Sequence, residues 1–341
     1  MSRLALAWRP FAFELPRAMV TAHGALEGKR GWLLRLEGAG DALGWGEAAP
    51  LAAEGAQPDG GRPDGPDLEA AIRGLGETIE RSDLELAVPG LPLPLAFAVG
   101  SALAELEGWP AMDGRTLQVR GVESAAPEGG WLSAPASAVL LPAGAAMPEA
   151  LEGALASGAS TVKWKVASAA DRLERELLER LLGRLPAAAR LRLDANGGWD
   201  RPTAFAWAQR LVGETRLDWL EQPLPPSDQS GLEALAAQVP VALDESLRAF
   251  PELRSTWAGW QVRRPALEGD PRPFWLELRQ GAPRRMLSTA LETGLGQRLV
   301  AHLAALQAGG PTPTAPGLAP GWCPGGPLFE SDPARVWEAA A

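Results

Sequence analysis

Thr161-Val162-Lys163-Trp164-Lys165 is a short apolar run that ends in charge, and three later stretches repeat the plan. They are Leu191-Arg192-Leu193-Asp194-Ala195-Asn196, Asp218-Trp219-Leu220-Glu221-Gln222-Pro223 and Ala242-Leu243-Asp244-Glu245-Ser246. From Lys165 through Asp194 and Glu221 to Asp244 the intervals are 29, 27 and 23 residues. That is the length of one strand-plus-helix unit in a (β/α)8 barrel, where about 250 residues make eight units and the strand ends at one face carry the active site. A lysine pair and three carboxylates at successive strand tips would meet there as a metal site beside a base.

Working outward, the rest of the chain keeps this rhythm. From about residue 136, strand-like and helix-like segments alternate: 138–141, 148–156, 161–166, 171–182, 190–194, 203–211, 218–221, 232–238 and 241–244. Weaker strand signals follow at 259–262 and 285–287. Repeated βα units imply a parallel sheet, and this many favour closure into a barrel. Upstream the pattern differs. Residues 1–50 read as antiparallel β with a turn at Gly38-Ala39-Gly40-Asp41, residues 68–79 and 94–106 as helices, and the Pro/Gly-rich stretch 52–66 as a loop. The expected layout is an α/β protein: an α+β domain over 1–110, an irregular connector over 111–133, the barrel over 134–308, and a C-terminal segment over 309–341 packing back on the first domain.

Composition limits the chemistry. The chain has 341 residues, a net charge of −10, and 46% hydrophobic residues. Such a charge argues against nucleic acid or an anionic membrane as partner. One cysteine, Cys323, excludes an internal disulfide framework, and no secretory or membrane-spanning stretch is read, so a cytoplasmic protein is expected. Only two histidines are present. His302, in a helix-like segment, reads as a packing residue and His23 as a solvated loop residue. Zinc usually takes His or Cys ligands. Carboxylates without them point to a hard cation, Mg2+ or Mn2+.

Side-chain alternation puts Lys163 and Lys165 on one face of their strand and Trp164 on the other. Two interior lysines repel each other and lose hydration, which lowers a lysine pKa toward the range a general base needs. Arg192 shares the inward face of Asp194 and is placed to pair with a carboxylate. Asn196 reads either as a polar contact or as part of an Asn-Gly-Gly turn. Each acid alone would also read as a helix N-cap or surface acid; the order of all three is what carries weight.

Lys163-x-Lys165, Asp194-x-Asn196, Glu221-x-Pro223 and Asp244-Glu245-Ser246-Leu247 together resemble the enolase superfamily, in its muconate-lactonising-like branch. Gly44-Trp45-Gly46-Glu47-Ala48-Ala49-Pro50 is similar to the capping-domain motif of that family, and residues 95–105 to the helix that enters the barrel. Ser288-Thr289-Ala290-Leu291-Glu292-Thr293-Gly294-Leu295-Gly296 resembles the late-barrel segment of the o-succinylbenzoate synthases. The resemblance runs from about Arg30 to Gly296. It implies a (β/α)7β-type barrel with an α+β capping domain. It also implies Lys165 as general base, Lys163 as auxiliary cation, and Asp194, Glu221 and Asp244 as Mg2+ ligands around a small carboxylate whose enediolate the metal stabilises.

The family keeps a second lysine before proline on the sixth strand. Here that place reads Arg263-Arg264-Pro265. Arginine stays protonated and cannot serve as a base, so Arg264 is expected in the reaction only as a cation that stabilises charge or lies against the π-face of the intermediate. Two-base racemisation and epimerisation are therefore disfavoured, and a one-base syn dehydration in menaquinone or phylloquinone biosynthesis is the implied activity. A cycloisomerase that uses one lysine, or a non-catalytic descendant, are the alternatives. Ser288, Thr289, Thr293 and Gly294, ahead of a helix N-terminus, are the expected contacts to the distal end of the substrate, with Arg192 and Asn196 as further expected substrate contacts. The loops at 21–30 and 52–66 are expected to close over it. The sequence leaves the oligomeric state open.

Overall fold

The computed structural model describes residues 3–21, 24–51, 68–119 and 130–340. The first part is an antiparallel sheet in the order β3-β2-β1-β4, made of β1 (Arg3–Thr21), β2 (Gly24–Glu37), β3 (Leu43–Ala48) and β4 (Thr78–Glu80). Helices α1 (Leu68–Leu75), α2 (Arg81–Ala87), α3 (Leu93–Leu106) and α4 (Trp109–Val119) follow β3 and flank β4. The helical pattern expected to reach Ile79 stops at Leu75. Gly76 turns the chain with φ 75°, and Thr78–Glu80 pairs with Arg3–Ala5 at the sheet edge. The stretch 24–30, expected as loop, is the start of β2 and pairs with β1. Loop residues 22–23, His23 among them, and 52–67 lie outside the described residues.

The second part is a parallel sheet of seven strands in strictly sequential order. They are β5 (Val139–Leu141), β6 (Thr161–Lys165), β7 (Arg190–Asp194), β8 (Leu217–Glu221), β9 (Val241–Leu243), β10 (Trp260–Arg263) and β11 (Arg285–Leu287). Between them run α5 (Met147–Ala156), α6 (Asp171–Arg184), α7 (Arg201–Leu211), α8 (Gln229–Ala236), the short α9 (Glu245–Ala249) and α10 (Leu253–Thr256), and α11 (Arg272–Arg279). Helix α12 (Gly294–Ala308) follows β11, and α13 (Pro333–Ala339) ends the chain.

The eighth position of the barrel is filled from beyond residue 308. Gly317 bridges Ser288 in parallel, its N–H donates to the Leu287 carbonyl, and the Pro316 carbonyl accepts from Ala138 beside β5. The expectation that the whole segment from 309 packs on the first domain is therefore corrected. Its proximal part joins β11 to β5, and the rest packs on the first domain, Trp322 with Leu15 and Leu26, and Val336 and Trp337 of α13 and the following Ala340 with Phe11, Leu33 and Trp45. Pro311, Pro313 and Pro316 hide this element from a pattern search, because proline lacks the N–H that marks a central strand.

The expected irregular connector over 111–133 is corrected in its first part, since α4 occupies Trp109–Val119; residues 120–129 lie outside the described residues, and 131–138 carry no regular structure. Tertiary contacts hold α4. Asp113 accepts from Trp275 Nε1 at 2.7 Å and Arg279 Nε at 2.7 Å, and faces His302 Nε2 at 3.0 Å. His302 is buried, as expected of a packing residue, and its Nδ1 accepts from the Leu132 N–H. The many tryptophans find structural uses of this kind, in the buried pair Trp199–Trp207 and in Trp219 packed against half-buried Trp260.

Helix α3 joins the two parts. It is apolar around its circumference, as a helix buried on all sides must be. Leu95, Ala98, Val99 and Ala102 pack against the antiparallel sheet, while Phe97 and Ala104 pack with α11 and α12. Gly44 and Gly46, on one face of β3, lie directly on its backbone. A Cβ at Gly44 would stand 2.1 Å from the Ala102 carbonyl oxygen, and one at Gly46 2.1 Å from that of Ala98. The intervening Trp45 and the following Glu47 take roles away from α3. Among the described residues, no helix is long and apolar enough to cross a membrane. Gly46→Ala should destabilise the protein by about 1–3 kcal/mol, the usual cost of overpacking. Urea unfolding of the variant checks this; a shift of the midpoint no larger than that of an exposed Gly183→Ala control would contradict it.

Candidate active site

The parallel register sets the site. Lys165 of β6 pairs with Asp194 of β7, which pairs with Glu221 of β8, so the three side chains form one row at the strand ends. Asp244 follows β9 and Arg264 follows β10, continuing the arc. Asp194, Glu221 and Asp244 are 1%, 0% and 5% exposed. Beneath them the barrel interior is closed by Trp219, Ala242, Val262 and Met286. The site thus has a dry floor, and its polar groups have one way to face.

Lys163 Nζ lies 2.9 Å from Asp194 Oδ2 and 2.5 Å from Glu221 Oε1. Lys165 Nζ donates to Asn196 Oδ1 at 2.6 Å and stands 3.5 Å from Asp194 Oδ2. Arg264 holds Asp244 through two bonds, Nε at 3.1 Å and Nη2 at 2.7 Å, and donates Nη1 to the Thr289 carbonyl at 2.6 Å. The expectation that repulsion lowers the lysine pKa is reversed for Lys163. Burial alone would lower it, but the Asp194 and Glu221 carboxylates outweigh burial and raise it. The same balance tips in favour of charge for Asp194, where burial opposes ionisation but Lys163 and Lys165 bring the pKa down to about 2. Glu221 goes the other way: burial, with Asp194 and Asp244 nearby, raises it despite Lys163.

Among the described residues no cluster of His, Cys, Asp and Glu stands ready to hold a metal ion. The reason is visible in the contacts: Lys163 sits between Asp194 and Glu221, and Arg264 has drawn Asp244 to itself. The donor set nevertheless fits a hard divalent cation. It offers carboxylate oxygens from neighbouring strand ends, buried and mutually repelling, which is the oxygen chemistry such ions take. The oxygens held by Lys163 and Arg264 are those a metal would share.

Other expected site residues fall in different places. Arg192 is fully buried two residues below Asp194, about 6–7 Å along the strand. Its Nε bonds Asp218 at 3.1 Å, its Nη2 bonds Thr314 at 2.7 Å, and its guanidinium lies 4.2 Å from the Trp219 ring centroid. It pairs with a carboxylate, but in the barrel floor rather than at the mouth where a substrate would sit. Ser288 and Thr289 are buried at the barrel seam, with the Thr289 hydroxyl bonded to Glu292 at 2.5 Å. Thr293 is corrected: its N–H and its hydroxyl both go to Glu47 Oε2, at 2.7 and 2.6 Å. Gly294 is pressed against the Glu330 carbonyl oxygen, 1.9 Å from where a Cβ would be. Thr293 thus has no free donor for a substrate. Asn196 satisfies both readings at once, as a turn residue with φ 46° and as the acceptor for Lys165.

Three polar residues, Glu47 and Gln222 buried and Glu245 half-buried, carry more than the sequence revealed. Glu47 from β3 is held by Lys29 Nζ at 3.2 Å and by Thr293, so a buried ion pair from the antiparallel sheet fixes the start of α12. Gln222, with φ 38°, accepts from the N–H groups of Asp244 and Ser246 at 3.2 and 3.0 Å, tying the β8 and β9 ends together. Glu245 accepts from Asn196 Nδ2 at 2.9 Å, and burial beside Asp244 and Asp194 raises its carboxyl to about 7. All three stand inside the quoted motifs, yet nothing in their spacing tells which distant group each will meet. Glu47→Ala should cost about 3–5 kcal/mol by leaving Lys29 as an unpaired buried charge. Removing both partners in Lys29→Met/Glu47→Leu should restore part of that. Denaturation curves of the single and double variants decide it, and a double variant less stable than Glu47→Ala would contradict the pairing.

A family model for the enolase C-terminal domain-like fold matches residues 146–258. The chain is 33% identical to the o-succinylbenzoate synthase of Thermosynechococcus vestitus over 87% of each chain, and 28% identical to that of Yersinia enterocolitica over 86% of this chain and 84% of the other. The crystal structure of o-succinylbenzoate synthase from Thermosynechococcus elongatus BP-1, complexed with Mg in the active site, aligns with a TM-score of 0.76 at 28% identity, covering 98% of this chain and 99% of that one. The L-Ala-D/L-Glu epimerase from Bacillus subtilis shares the fold, with a TM-score of 0.70 at 21% identity over 94% and 90% of the chains. By this identity over most of both chains, the shared fold and the matching family model, the chain belongs to the o-succinylbenzoate synthase family of the enolase superfamily.

Proposed function

We propose that this protein is an o-succinylbenzoate synthase, a magnesium-dependent lyase of the cytoplasm. It removes water from 2-succinyl-6-hydroxy-2,4-cyclohexadiene-1-carboxylate to give 2-succinylbenzoate, a step of menaquinone or phylloquinone biosynthesis. The observation that carries this reading is the single row of Lys165, Asp194 and Glu221 at adjacent strand ends, in a chain 33% identical to a curated synthase. In this reading residues 1–110 cap the barrel mouth, and the acids face the carboxylate of the substrate.

Asp194, Glu221 and Asp244 would hold Mg2+. When bound, the ion supplies positive charge where negative charge develops on the substrate carboxylate. Lys165 accepts the proton from the ring carbon that bears the carboxylate. The electron pair of that C–H bond moves into the ring as the C–O bond to the hydroxyl breaks, and Lys165 returns its proton to the departing oxygen as water. One group on one face suffices for this syn elimination. Arg264 keeps its charge: burial opposes it, but Asp244 more than compensates and raises its pKa. It cannot abstract a proton from the opposite face. Its contacts support a role in holding Asp244 and the Thr289 carbonyl, with Lys163 balancing Asp194 and Glu221.

A dehydration assay on the cyclohexadiene carboxylate tests the reading. Turnover should vanish in excess chelator and return with Mg2+ or Mn2+; full activity in chelator would refute the metal assignment. Lys165→Ala should lower kcat by about 10^2 to 10^4-fold, the range for general acid–base groups. Lys165→Arg should be nearly as damaging, because the guanidinium cannot shed its proton. Arg264→Lys should keep substantial dehydration. The wild type should not racemise N-acylamino acids at rates near its dehydration rate, and racemisation at such rates would reveal a second base.

A further inference from the structure

The side-chain amide of Asn196 has two unlike ends, an oxygen that accepts and an NH2 that donates. Its oxygen accepts from Lys165 Nζ at 2.6 Å, and its nitrogen donates to Glu245 Oε1 at 2.9 Å. The backbone beneath is fixed. Asn196 is left-handed, its N–H donates to Asp194 Oδ1 at 3.1 Å, and the next N–H, of Gly197, donates to the Gln222 carbonyl at 2.7 Å. What remains free is the flip of the amide. The flipped form would set NH2 against the lysine N–H that now donates to Oδ1 and a carbonyl oxygen against the Glu245 oxygen, two unfavourable contacts in a half-buried place.

A Glu245 oxygen that accepts from Nδ2 therefore selects one amide orientation. Glu245 makes no direct bond to Lys165; its described hydrogen bond goes to Asn196. It reaches this position because α9 begins immediately after β9, which sends residue 245 toward the β7 end while Asp244 turns to Arg264.

We propose that Glu245 is a positioning residue for Lys165, acting through Asn196: it holds the amide so that Oδ1 takes one N–H of the lysine and aims the rest of the amine at the substrate. The inference rests on Lys165 being the base of the proposed reaction. It assigns to the second acid of Asp244-Glu245 a task separate from that of the first.

The test is a double-mutant cycle in the full chain. Asn196→Ala and Glu245→Ala should each lower kcat about 10- to 100-fold, as small misplacements of a reacting group do. KM should stay within about threefold, because only the chemical step is touched. The double variant should be no slower than the slower single one, since Glu245 acts only through Asn196. Glu245→Gln retains an accepting oxygen and should keep kcat within about threefold of wild type. If Glu245→Ala fails to fold, Asn196→Asp replaces it: two carboxylates then face each other and kcat falls, and adding Glu245→Gln, which can donate to the new Asp, should recover most of the loss. Multiplicative losses in the double variant, a Glu245→Gln as slow as Glu245→Ala, or no recovery in the Asn196→Asp pair would each overturn the assignment. An inactive wild type would instead sink the proposed reaction. Crystals of Glu245→Gln and Asn196→Asp would still report whether Lys165 Nζ keeps its place.

Discussion

Parallel pairing between β6, β7 and β8 is the constraint on which the site depends. Asp194 pairs with Lys165 on one side and with Glu221 on the other, so the row needs two independent registers to agree, the second set past an irregularity at Leu191/Arg192. A slip of one residue in any strand would turn its functional side chain outward, among the leucines that face α5 to α8. The outer core enforces the register. Trp164, Leu191, Leu193 and Leu220 are buried on the helix side, while Lys163, Lys165, Asp194 and Glu221 face inward. Packing on one face of each strand thus fixes chemistry on the other.

Charge inside a barrel is costly unless it is matched. Here the matching is local and crossed. Lys163 bridges two acids, Arg264 clasps the third, and Lys165 leans on Asn196 more closely than on Asp194. The consequence for reactivity is a division of labour among the cations. Two are tied to carboxylates on both sides or by two bonds, which leaves Lys165, with its neutral oxygen partner, as the group to exchange a proton in the proposed reaction. Below them, Arg192 and Asp218 repeat the principle without chemistry, bracing the floor against Trp219.

The covering sheet is attached by two different means. The glycines of β3 let α3 approach to backbone contact, which is packing, while Lys29 and Glu47 grip the start of α12, which is electrostatics. Both come from the stretch Gly44-Trp45-Gly46-Glu47. Its alternation is the plain logic of a strand: the two glycines face one neighbour, and Trp45 and Glu47 face others. The motif is legible as a strand in the sequence, but its partners are not.

The sequence by itself determined the alternation of strands and helices, the inward face of each strand, and the chemical kind of the site: oxygen ligands beside a lysine, without His or Cys. Those features are local, carried by periods of two and of about 3.6 residues and by the charge that ends each apolar run. Only the tertiary structure decided which groups meet. It placed Pro316 and Gly317 in the barrel seam, withdrew Thr293 to Glu47, sank Arg192 into the floor, and turned Glu245 toward Asn196. Each of these contacts joins groups brought together from different parts of the fold. Such contacts depend on how helices and strands stack around the barrel, and a strand or helix pattern specifies the face a residue presents without naming what will be packed against it.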